Sequence, residues 1–366
     1  MSTQSTSACA PESSVPAELS RRSLLTQAAC LAGGAALGGL PGLSMAQGKM
    51  PETIRYALIG EGKAEPGTVL RYGIGGMNPS KNLGGAKIDW RPGFPATLPI
   101  VEAIRGGAID FSFCTSTALI YAVGGKVPLV PLGVYPLPSD TCYLLVHADS
   151  SIKTIQDLKG KRVADHRGTT GTYALVRTLE AAGMKLSDIQ YVNLTAPDAE
   201  AAFANKRIDA WMSWQPTMEL ARRRYNATML AGVKTYDYGF FVAREQFAKD
   251  HPEAVAILLR NVRDAQRLLE AKPEEVVGQF QKLGGFGNNQ MEHDVYLYLA
   301  KNRLLSYSGA GDLKPVDDST ANEVQRLADS FHELKIYPEK INIKQWLMTA
   351  TPQSVRDAVA AELRRA

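Results

Sequence analysis

The sequence carries little net charge for its length. Its 41 lysines and arginines nearly balance 37 aspartates and glutamates, which leaves a formal charge of +4 over 366 residues. So small a surplus does not favour nucleic acid or an anionic membrane surface as a partner, and neither is expected. The basic run Arg222-Arg223-Arg224 is expected to be the solvated face of a helix. With 45% hydrophobic residues, the chain is long enough for two domains with cores of their own.

Motifs of the common enzyme classes are missing. The sequence has no G-x-S-x-G, no phosphate-binding P-loop, no G-x-G-x-x-G after a strand and no C-x-x-C. Asp165 and His166 are neighbours, but such a pair is more often a surface feature than catalytic machinery. The histidines lack metal-ligand spacing; they are His147, His166, His251, His293 and His332. No catalytic residue, metal or cofactor is therefore expected.

The N-terminus has the most specific pattern in the sequence. Arg21-Arg22 precede an uncharged stretch of Ala, Gly and Leu, which ends in a small-x-small tripeptide at Ala46. This order is typical of a cleaved export signal, and the stretch is too weakly apolar to span a membrane. Residues 1–46 are predicted to be removed. The mature chain is predicted to begin near Gln47, to be soluble, and to reside in the periplasm.

The paired arginines resemble a twin-arginine signal, whose machinery carries proteins across the membrane already folded. The stretch departs from the usual S-R-R-x-F-L-K pattern at two places, one of them Thr26. Twin-arginine export machinery is thus the expected partner, and general secretion of an unfolded chain is the alternative.

Cysteine is scarce. Cys9 and Cys30 fall within the predicted leader, which leaves only Cys114 and Cys142 in an oxidising compartment. The two could form a disulfide if the fold brings their Cα atoms into range. Two buried thiols are the alternative.

Short β-rich runs alternate with helical patterns along the chain, which predicts an α/β fold with a parallel or mixed sheet. TIRYALIG (residues 53–60) reads as a first strand, and LPIVEAIRGG (residues 98–107) reads as a helix between two later strands. A long helix is predicted after Asp250, which would cap it, with Pro252 in its first turn. The remainder of the chain is predicted to be mostly helical.

Two segments match each other without a gap: AIRGGAIDFSFCTSTAL (residues 103–119) and AFANKRIDAWMSWQPTM (residues 202–218). Each contains a helix end, a turn, Ile-Asp, alternating strand residues and polar residues that lead into another helix. The match aligns Asp110 with Asp209. Identity is slight, so chance is an alternative, but the pattern predicts two lobes built alike.

Two loops between a predicted strand and a predicted helix are rich in hydroxyl groups. Ligands of open α/β sheets bind at such loops, where helix N-termini offer unpaired N–H groups and a partial positive charge to an anion. Ser and Thr before a helix are also ordinary N-caps, and capping is the competing interpretation. The candidate ligand-binding residues of the two loops are Thr115, Ser116 and Thr117, then Arg167, Thr169, Thr170, Gly171 and Thr172. The sequence predicts that the two loops grip one anion from both sides.

A third candidate segment is WMSWQP, which follows the predicted strand of the second matching segment. Trp211 is expected in the core. Trp214 lies past the alternating positions, so we expect it, with Gln215, to offer a wall to an organic anion. Tyr173 could do the same.

The run DLKGKRVADHRGTTGTYALVRTLEAAGMKLSDIQYVNL, with AAFANKRIDAWMSWQP and GFFVAREQFAKDHPEAV, resembles the periplasmic substrate-binding proteins of ABC importers for nitrate, taurine and aliphatic sulfonates. The resemblance spans roughly residues 87–258. It implies a two-lobed type II binding-protein fold with the ligand in the cleft between the lobes. The implied division is residues 47–145 for the first part of lobe 1, 146–235 for lobe 2, and 236–366 for the return to lobe 1 and the C-terminal helices.

The resemblance also implies a function: a monomer that captures a small organic anion, most simply an aliphatic sulfonate or a taurine-like compound, and delivers it to an ABC permease and its ATPase. Residues 115–117, 169–172 and 214–215 fall where members of the family hold their ligands. One segment departs from the pattern, because GEGKAEPGTVLRYGIGGMNPSKNLGG is glycine-rich and poorly helical where the family has an amphipathic helix. The alternatives are nitrate or a carboxylate as ligand, a sensing partner of a membrane receptor, or an enzyme on the same fold, of the thiamine-precursor or desulfination type.

Overall fold

The computed structural model describes residues 50–139, 142–230 and 237–365, so the predicted leader lies outside the described residues. The strands are β1 Thr53–Ile59, β2 Lys87–Phe94, β3 Phe111–Thr115, β4 Leu129–Pro136, β5 Cys142–Val146, β6 Arg162–Asp165, β7 Gln190–Asn193, β8 Ala210–Trp214, β9 Thr228–Leu230 and β10 Tyr238–Arg244.

The α-helices are α1 Pro66–Arg71, α2 Pro79–Asn82, α3 Thr97–Arg105, α4 Ser116–Gly124, α5 Thr170–Ala181, α6 Ala196–Ala204, α7 Thr217–Arg224, α8 Glu245–Asp250, α9 Pro252–Ala271, α10 Pro273–Lys282, α11 Gln290–Lys301, α12 Asp318–Glu333, α13 Ile343–Thr349 and α14 Gln353–Arg364. Short 3₁₀ turns lie at Ile74–Gly76, Gln156–Leu158, Leu186–Asp188 and Ala310–Asp312. In the part of the chain that the structure describes, none of these helices is long and apolar enough to cross a membrane.

The strands form two five-stranded sheets that share one plan. The first has the order β2-β1-β3-β10-β4, with β1 parallel to β2 and β3, and with β10 antiparallel to both its neighbours. The second has the order β7-β6-β8-β5-β9, with β6 parallel to β7 and β8, and with β5 antiparallel to both its neighbours. The predicted α/β class is thus confirmed, and in each sheet four strands run in one direction while a fifth, β10 or β5, runs against them.

The chain passes from the first sheet to the second between β4 and β5, and returns between β9 and β10. The predicted division between residues 145 and 146 falls inside β5, one residue before that strand ends. The division between residues 235 and 236 falls shortly before β10, in a segment outside the described residues.

The internal match is confirmed by equivalent contacts in the two lobes. In the first, Asp110 precedes β3 and accepts hydrogen bonds from the backbone N–H (3.0 Å), Nε (2.8 Å) and Nη2 (2.7 Å) of Arg55. In the second, Asp209 precedes β8 and accepts from the same three groups of Arg162 at 2.8, 3.1 and 2.7 Å. Each arginine also donates a hydrogen bond to a backbone carbonyl in the turn between the aspartate and the helix that precedes this aspartate. Each lobe therefore joins its central parallel strands through the same Arg–Asp pair, whose aspartate is buried in the first lobe and partly exposed in the second.

Both faces of the first sheet are buried. Side chains of β1 alternate, so that Ile54 and Tyr56 join a core cluster with α9 while Ala57 joins a second cluster with α3 and α4. The second sheet repeats this pattern, with Met212 on one face and Trp211 on the other. Trp211 is 1% exposed, as expected of a core residue.

Two local predictions were wrong. Asp250 does not cap α9, because it is the last residue of α8 and His251 takes the capping position. The glycine-rich segment after β1 is more helical than expected: Pro66 starts α1, since proline fits the first turn of a helix, and α2 follows.

The two cysteines lie in different sheets, with Cys114 in β3 and Cys142 at the start of β5. No disulfide joins them. Of the two alternatives left open by the sequence, the structure has two thiols, but only Cys114 is buried and Cys142 is partly exposed.

Candidate functional site

A cavity of about 330 Å³ lies where loops from both sheets meet. Five of the loops at the carboxyl ends of parallel strands contribute, those after β1, β2, β6, β7 and β8, together with Thr115 at the end of β3. The remaining wall comes from Phe113 in β3, Leu137 after β4, α11 and the segment after α11. The residues that line the cavity are Ile59 to Glu65, Phe94 to Thr97, Phe113, Thr115, Leu137, Thr169, Thr170, Ala196, Pro197, Trp214 to Thr217, Glu292, Tyr296, and Leu305 to Tyr307.

The N-terminus of α3 opens onto this cavity. Its capping position is held by Ala96, which has no side-chain oxygen to satisfy the first N–H groups. The hydroxyl oxygen of Thr97 lies 3.4 Å from that of Thr115, which in turn lies 2.8 Å from that of Thr117. Thr115 also caps α4 by accepting from Ala118 N at 3.4 Å. Thr115 is therefore both a cap and a cavity residue.

The N-terminus of α5 reaches the same cavity from the second lobe. Thr169 holds the capping position, but its hydroxyl donates backwards to the carbonyl of His166 at 2.7 Å and leaves the helix uncapped. The hydroxyl of Thr170 donates to Asp237 at 2.7 Å. Both residues line the cavity, and the first-turn N–H groups of α5 are left for another acceptor.

Asp237 joins the two helix ends at the base of the site. It is 3% exposed and accepts hydrogen bonds from Thr170 and from Ser116, the first residue of α4. Burial raises the pKa of this carboxyl, although those hydrogen bonds oppose the rise. Ser116 is thus placed beneath the cavity and not on its wall.

Asp165 lies beneath the first turn of α5. It accepts a hydrogen bond from Thr172 Oγ1 at 2.5 Å and one from the hydroxyl of Tyr191 at 3.2 Å. A Cβ at Gly171 would come within 2.6 Å of Asp165 Oδ1, so the glycine is required for packing. Burial raises the pKa of Asp165 to about 7 against the hydrogen bonds of Thr172 and Tyr191.

Trp214 and Gln215 line the cavity at the end of β8. Gln215 Oε1 accepts from Glu219 N at 3.0 Å, which fixes the first turn of α7. The Trp214 ring lies 6.5 Å from that of His166, nearly parallel to it. Burial lowers the pKa of His166, so this ring is neutral at pH 7.

The structure brings five of the ten candidate residues to the cavity wall and places the other five beside or beneath it. On the wall are Thr115, Thr169, Thr170, Trp214 and Gln215; off it are Ser116, Thr117, Arg167, Gly171 and Thr172. The guanidinium of Arg167 lies over the Tyr191 ring, 5.5 Å from its centroid. Tyr173 packs near Phe331, with ring centroids 6.1 Å apart, and does not line the cavity.

A family model described as NMT1/THI5 like matches residues 93–276, which is about half of the chain. This range includes both hydroxyl-rich loops. The chain belongs to the NMT1/THI5-like family. The resemblance noted in the sequence is confirmed. A relative from Escherichia coli (strain K12) has the provisional name of an aliphatic sulfonates-binding protein. It is 30% identical over 328 residues, which is 86% of this chain and 96% of that protein.

Solved structures show the same architecture. The alkanesulfonate-binding protein SsuA from Xanthomonas axonopodis pv. citri, bound to MOPS, matches with a TM-score of 0.70 at 22% identity over 81% of this chain and 98% of that one. The periplasmic aliphatic sulphonate binding protein SsuA from Escherichia coli matches with a TM-score of 0.67 at 27% identity over 81% and 91%. The two-lobed binding-protein fold is confirmed. The fold also occurs in an enzyme, the desulfurization enzyme DSZB, with a TM-score of 0.56 at 14% identity over 84% and 99%.

Sequence reasoning missed a group of charged residues in this NMT1/THI5-like protein. Lys63 and Glu292 form a salt bridge of 2.7 Å on the cavity wall, and Glu65 lines the same cavity with only 6% of its surface exposed. Thr97 was missed as well. The charged residues of the segment GEGKAEP could have indicated Lys63 and Glu65 as candidates. Glu292 lies in α11, more than 200 residues later, and nothing local connects it with them.

Cys114 is the only described cysteine near the hydroxyl-rich loops, and it faces the core. It is 1% exposed and does not line the cavity. Burial raises the pKa of its thiol. A thiolate nucleophile at the cavity is therefore absent from the described residues. Those residues also contain no cluster of side chains that could hold a metal ion.

Proposed function

We propose that this protein captures a small organic anion, most simply an aliphatic sulfonate, and delivers it to an ABC permease and its ATPase. One observation carries the proposal: the uncapped N-termini of α3 and α5 belong to different lobes and open onto the same cavity. An anion between them would receive backbone N–H groups from both sides.

The physical case is electrostatic. An α-helix N-terminus carries roughly half a positive charge, and its first N–H groups have no partner within the helix. A sulfonate has three oxygens over which such donors can be shared. Because the partial charges belong to the backbone, the site needs no arginine, and Arg167 lies off the cavity wall.

The remaining wall favours an organic ligand. Phe94, Phe113, Leu137 and Trp214 line the cavity and offer apolar surface to a carbon chain. A volume of about 330 Å³ exceeds what nitrate fills, since one water occupies roughly 30 Å³ in the liquid. The names of the matching relatives, which refer to aliphatic sulfonates and to alkanesulfonates, agree with this chemistry. A sulfonate is therefore preferred here to nitrate or a simple carboxylate.

The wider proposal concerns the whole protein. Residues 47–145, 146–235 and 236–366 are proposed as the first part of lobe 1, lobe 2, and the return to lobe 1 with the C-terminal helices. The protein is proposed to act in the periplasm as a monomer, since a receptor that closes around one ligand has no need of a second copy.

Calorimetry on the mature chain tests the function, with ethanesulfonate, propionate and nitrate as probes. We expect ethanesulfonate to bind most tightly and, at about 100 times its Kd, to stabilise the fold by roughly 2.7 kcal/mol. Small-angle scattering should show a smaller radius of gyration with ethanesulfonate, as the lobes close. Tighter binding of nitrate than of ethanesulfonate, or binding of no probe, would contradict the proposal.

If the protein were instead an enzyme with the same fold, it would convert its ligand into a product. A receptor returns its ligand unchanged, whereas a desulfination enzyme releases sulfite. Because such an enzyme hydrolyses the C–S bond of a sulfinate, incubation of the protein with ethanesulfinate followed by a sulfite assay should give no product above the background of heat-denatured protein.

A further inference from the structure

Asp237 places a carboxyl group of the protein beneath its own anion site. The group is 3% exposed and lies between the first residue of α4 and the first residue of α5. Thr170 donates its hydroxyl hydrogen to Oδ2, and Tyr238 donates its backbone N–H to Oδ1, each at 2.7 Å. Ser116 donates from its hydroxyl and from its backbone N–H. When charged, Asp237 therefore shares the positive ends of two helices that belong to different lobes.

Uncharged groups surround Asp237. Of the described residues, the titratable ones that face it are Cys114 of β3, Tyr135 of β4, Tyr173 of α5 and Tyr238 of β10. Burial raises the pKa of each of them, so all four are neutral at pH 7. The hydrogen bonds to the carboxyl come from neutral donors, and no lysine or arginine of the described residues forms a salt bridge with it. Its negative charge, when present, is held by hydrogen bonds and helix ends.

Thr170 connects Asp237 with the cavity. It lines the cavity wall, while its hydroxyl is bound to Asp237 Oδ2. An anion at the N-terminus of α5 would thus lie about one side chain away from a buried carboxyl group that uses the same helix end. A nearby negative charge raises the pKa of a carboxyl group. Because a sulfonate does not take up a proton at ordinary pH, the carboxyl is the group that must become neutral.

We infer that Asp237 takes up a proton from the solvent when the ligand anion binds, so that the affinity of the site falls as the pH rises. This inference rests on the proposed function and adds to it a residue that acts on the ligand through the N-terminus of α5. The proton forms an O–H bond on the Asp237 carboxylate. Ser116 Oγ can accept that hydrogen, because the Ser116 hydroxyl can donate to the Tyr238 carbonyl at 3.3 Å. Thr170 keeps its hydrogen bond to the carboxyl.

Two other buried carboxyl groups lie near the cavity, but neither is placed as Asp237 is. Asp165 contacts Thr172 and Tyr191, which do not line the cavity. Glu65 lines the cavity, but burial raises its pKa to about 8, so it is largely protonated at pH 7 before an anion binds. The hydrogen bonds to Asp237 favour its charged form. Asp237 is therefore the carboxyl group with a proton to gain.

Proton counting on the wild-type mature chain tests the inference without any substitution. Ethanesulfonate is the probe, because it stays an anion throughout the range from pH 5.5 to 8.5. Calorimetry at pH 5.5, 7 and 8.5, in two buffers of different ionisation enthalpy, should reveal proton uptake on binding at one or more of these values. The ligated protein then holds more protons than the unligated protein, so Kd should rise with pH. We expect a rise of about 10-fold or more over this range, and of at most about 10-fold per pH unit, the limit for a single proton.

The variant Asp237→Asn has an uncharged amide of the same shape and cannot take up a proton. We expect its proton uptake to vanish and its Kd to change by less than about threefold between pH 5.5 and 8.5. At pH 8.5 it should bind ethanesulfonate more tightly than the wild type does, because no internal charge competes for α5. Glu362→Gln removes another buried carboxylate, in α14 and away from the cavity, and should keep the wild-type uptake. Thermal melting shows whether each variant folds.

A second variant serves if Asp237→Asn does not fold. Thr170→Val removes a hydrogen bond that favours the charged carboxyl, which raises the pKa of unligated Asp237 and should move the proton uptake to higher pH. Binding without uptake at all three pH values, or uptake that Asp237→Asn keeps and Asp165→Asn loses, would overturn the inference. Uptake at an unchanged pH in Thr170→Val would overturn it as well. If ethanesulfonate does not bind, the proposed function fails too; if it binds without proton uptake, only the inference fails.

Discussion

At the scale of single residues, burial of the Asp165 carboxyl group lowers the stability of the fold by an amount that depends on pH. It is fully buried under the first turn of α5, and its Oδ1 has no hydrogen-bond partner among the described residues. Its pKa is raised to about 7, whereas the same group in the unfolded chain titrates near 4. The folded state therefore binds this proton more tightly than the unfolded state does.

The sign of the effect follows from that difference. As the pH rises from about 4 to 7, the unfolded chain loses the proton first, and stability falls by at most about 1.4 kcal/mol per pH unit. Asp165→Asn cannot lose a proton, so we expect its free energy of unfolding to fall less over this range than that of the wild type. Denaturant titrations at pH 5 and pH 7.5 measure the difference.

Asp209→Asn is the opposite case and serves as the control. The hydrogen bonds from Arg162 lower the pKa of Asp209, so this carboxylate adds stability above its unfolded pKa and loses it as the pH falls. An Asp165→Asn variant whose stability parallels the wild type at both pH values would mean that Asp165 is not protonated in the fold.

Thr170 gives a second prediction at this scale. Its hydroxyl serves the buried Asp237, so Thr170→Val, which keeps the shape, should lower the free energy of unfolding by about 1–3 kcal/mol. Thr170→Ser keeps the hydroxyl and should cost less. Chemical denaturation compares the two. A hydroxyl that served only the ligand would leave the unligated Val variant as stable as the wild type.

At the scale of elements, the first turn of α5 shows why neighbouring residues have different roles. Successive residues of an α-helix turn by about 100°, so one turn cannot present every side chain to the same ligand. Thr169 and Thr170 reach the cavity wall, whereas Gly171 and Thr172 face Asp165. The hydroxyl groups of this turn all have protein partners, which leaves the backbone as the donor to a ligand.

Gly171 permits a test of this geometry. Alanine normally stabilises a helix interior by about 1 kcal/mol relative to glycine. At position 171 the new Cβ would clash with Asp165 Oδ1 at 2.6 Å, so Gly171→Ala should destabilise the protein. Gly278 in α10 has no atom within 4 Å of an added Cβ, and Gly278→Ala should be stabilising. Thermal melting measures both; two shifts of the same sign would contradict the packing described around Asp165.

Much of this arrangement could be predicted from the sequence, since strand ends and helix starts follow from local patterns. Thr115, Thr169 and Trp214 were placed at the cavity because each follows a readable strand. The inward rotation of Gly171 depends on a buried Asp165, which no local pattern reveals. The salt bridge between Glu292 and Lys63 forms only in the tertiary fold, because more than 200 residues separate the two in the sequence. The sequence alone could not predict it.

At the scale of the whole molecule, the predicted leader is expected to direct the protein to the periplasm. Replacing Arg21 and Arg22 with lysine should leave the precursor in the cytoplasm if export uses the twin-arginine machinery, which reads this pair. Immunoblots of cytoplasmic and periplasmic fractions measure the ratio of precursor to mature chain. The same change at two exposed arginines, Arg91 and Arg326, serves as the control. Normal export of the Arg21/Arg22 variant would indicate general secretion.

The shared plan of the two sheets has a consequence for the order in which they can fold. The second sheet is built from one continuous stretch, β5 to β9, so all its strands are available once Leu230 has been synthesised. The first sheet cannot be completed until β10 inserts between β3 and β4, with Phe240 opposite Cys114 across more than 120 residues of intervening chain. Closing so long a loop is slow compared with local pairing. A nascent chain should therefore protect the amides of its second sheet before those of its first, although four strands of the first, β1 to β4, are encoded earlier.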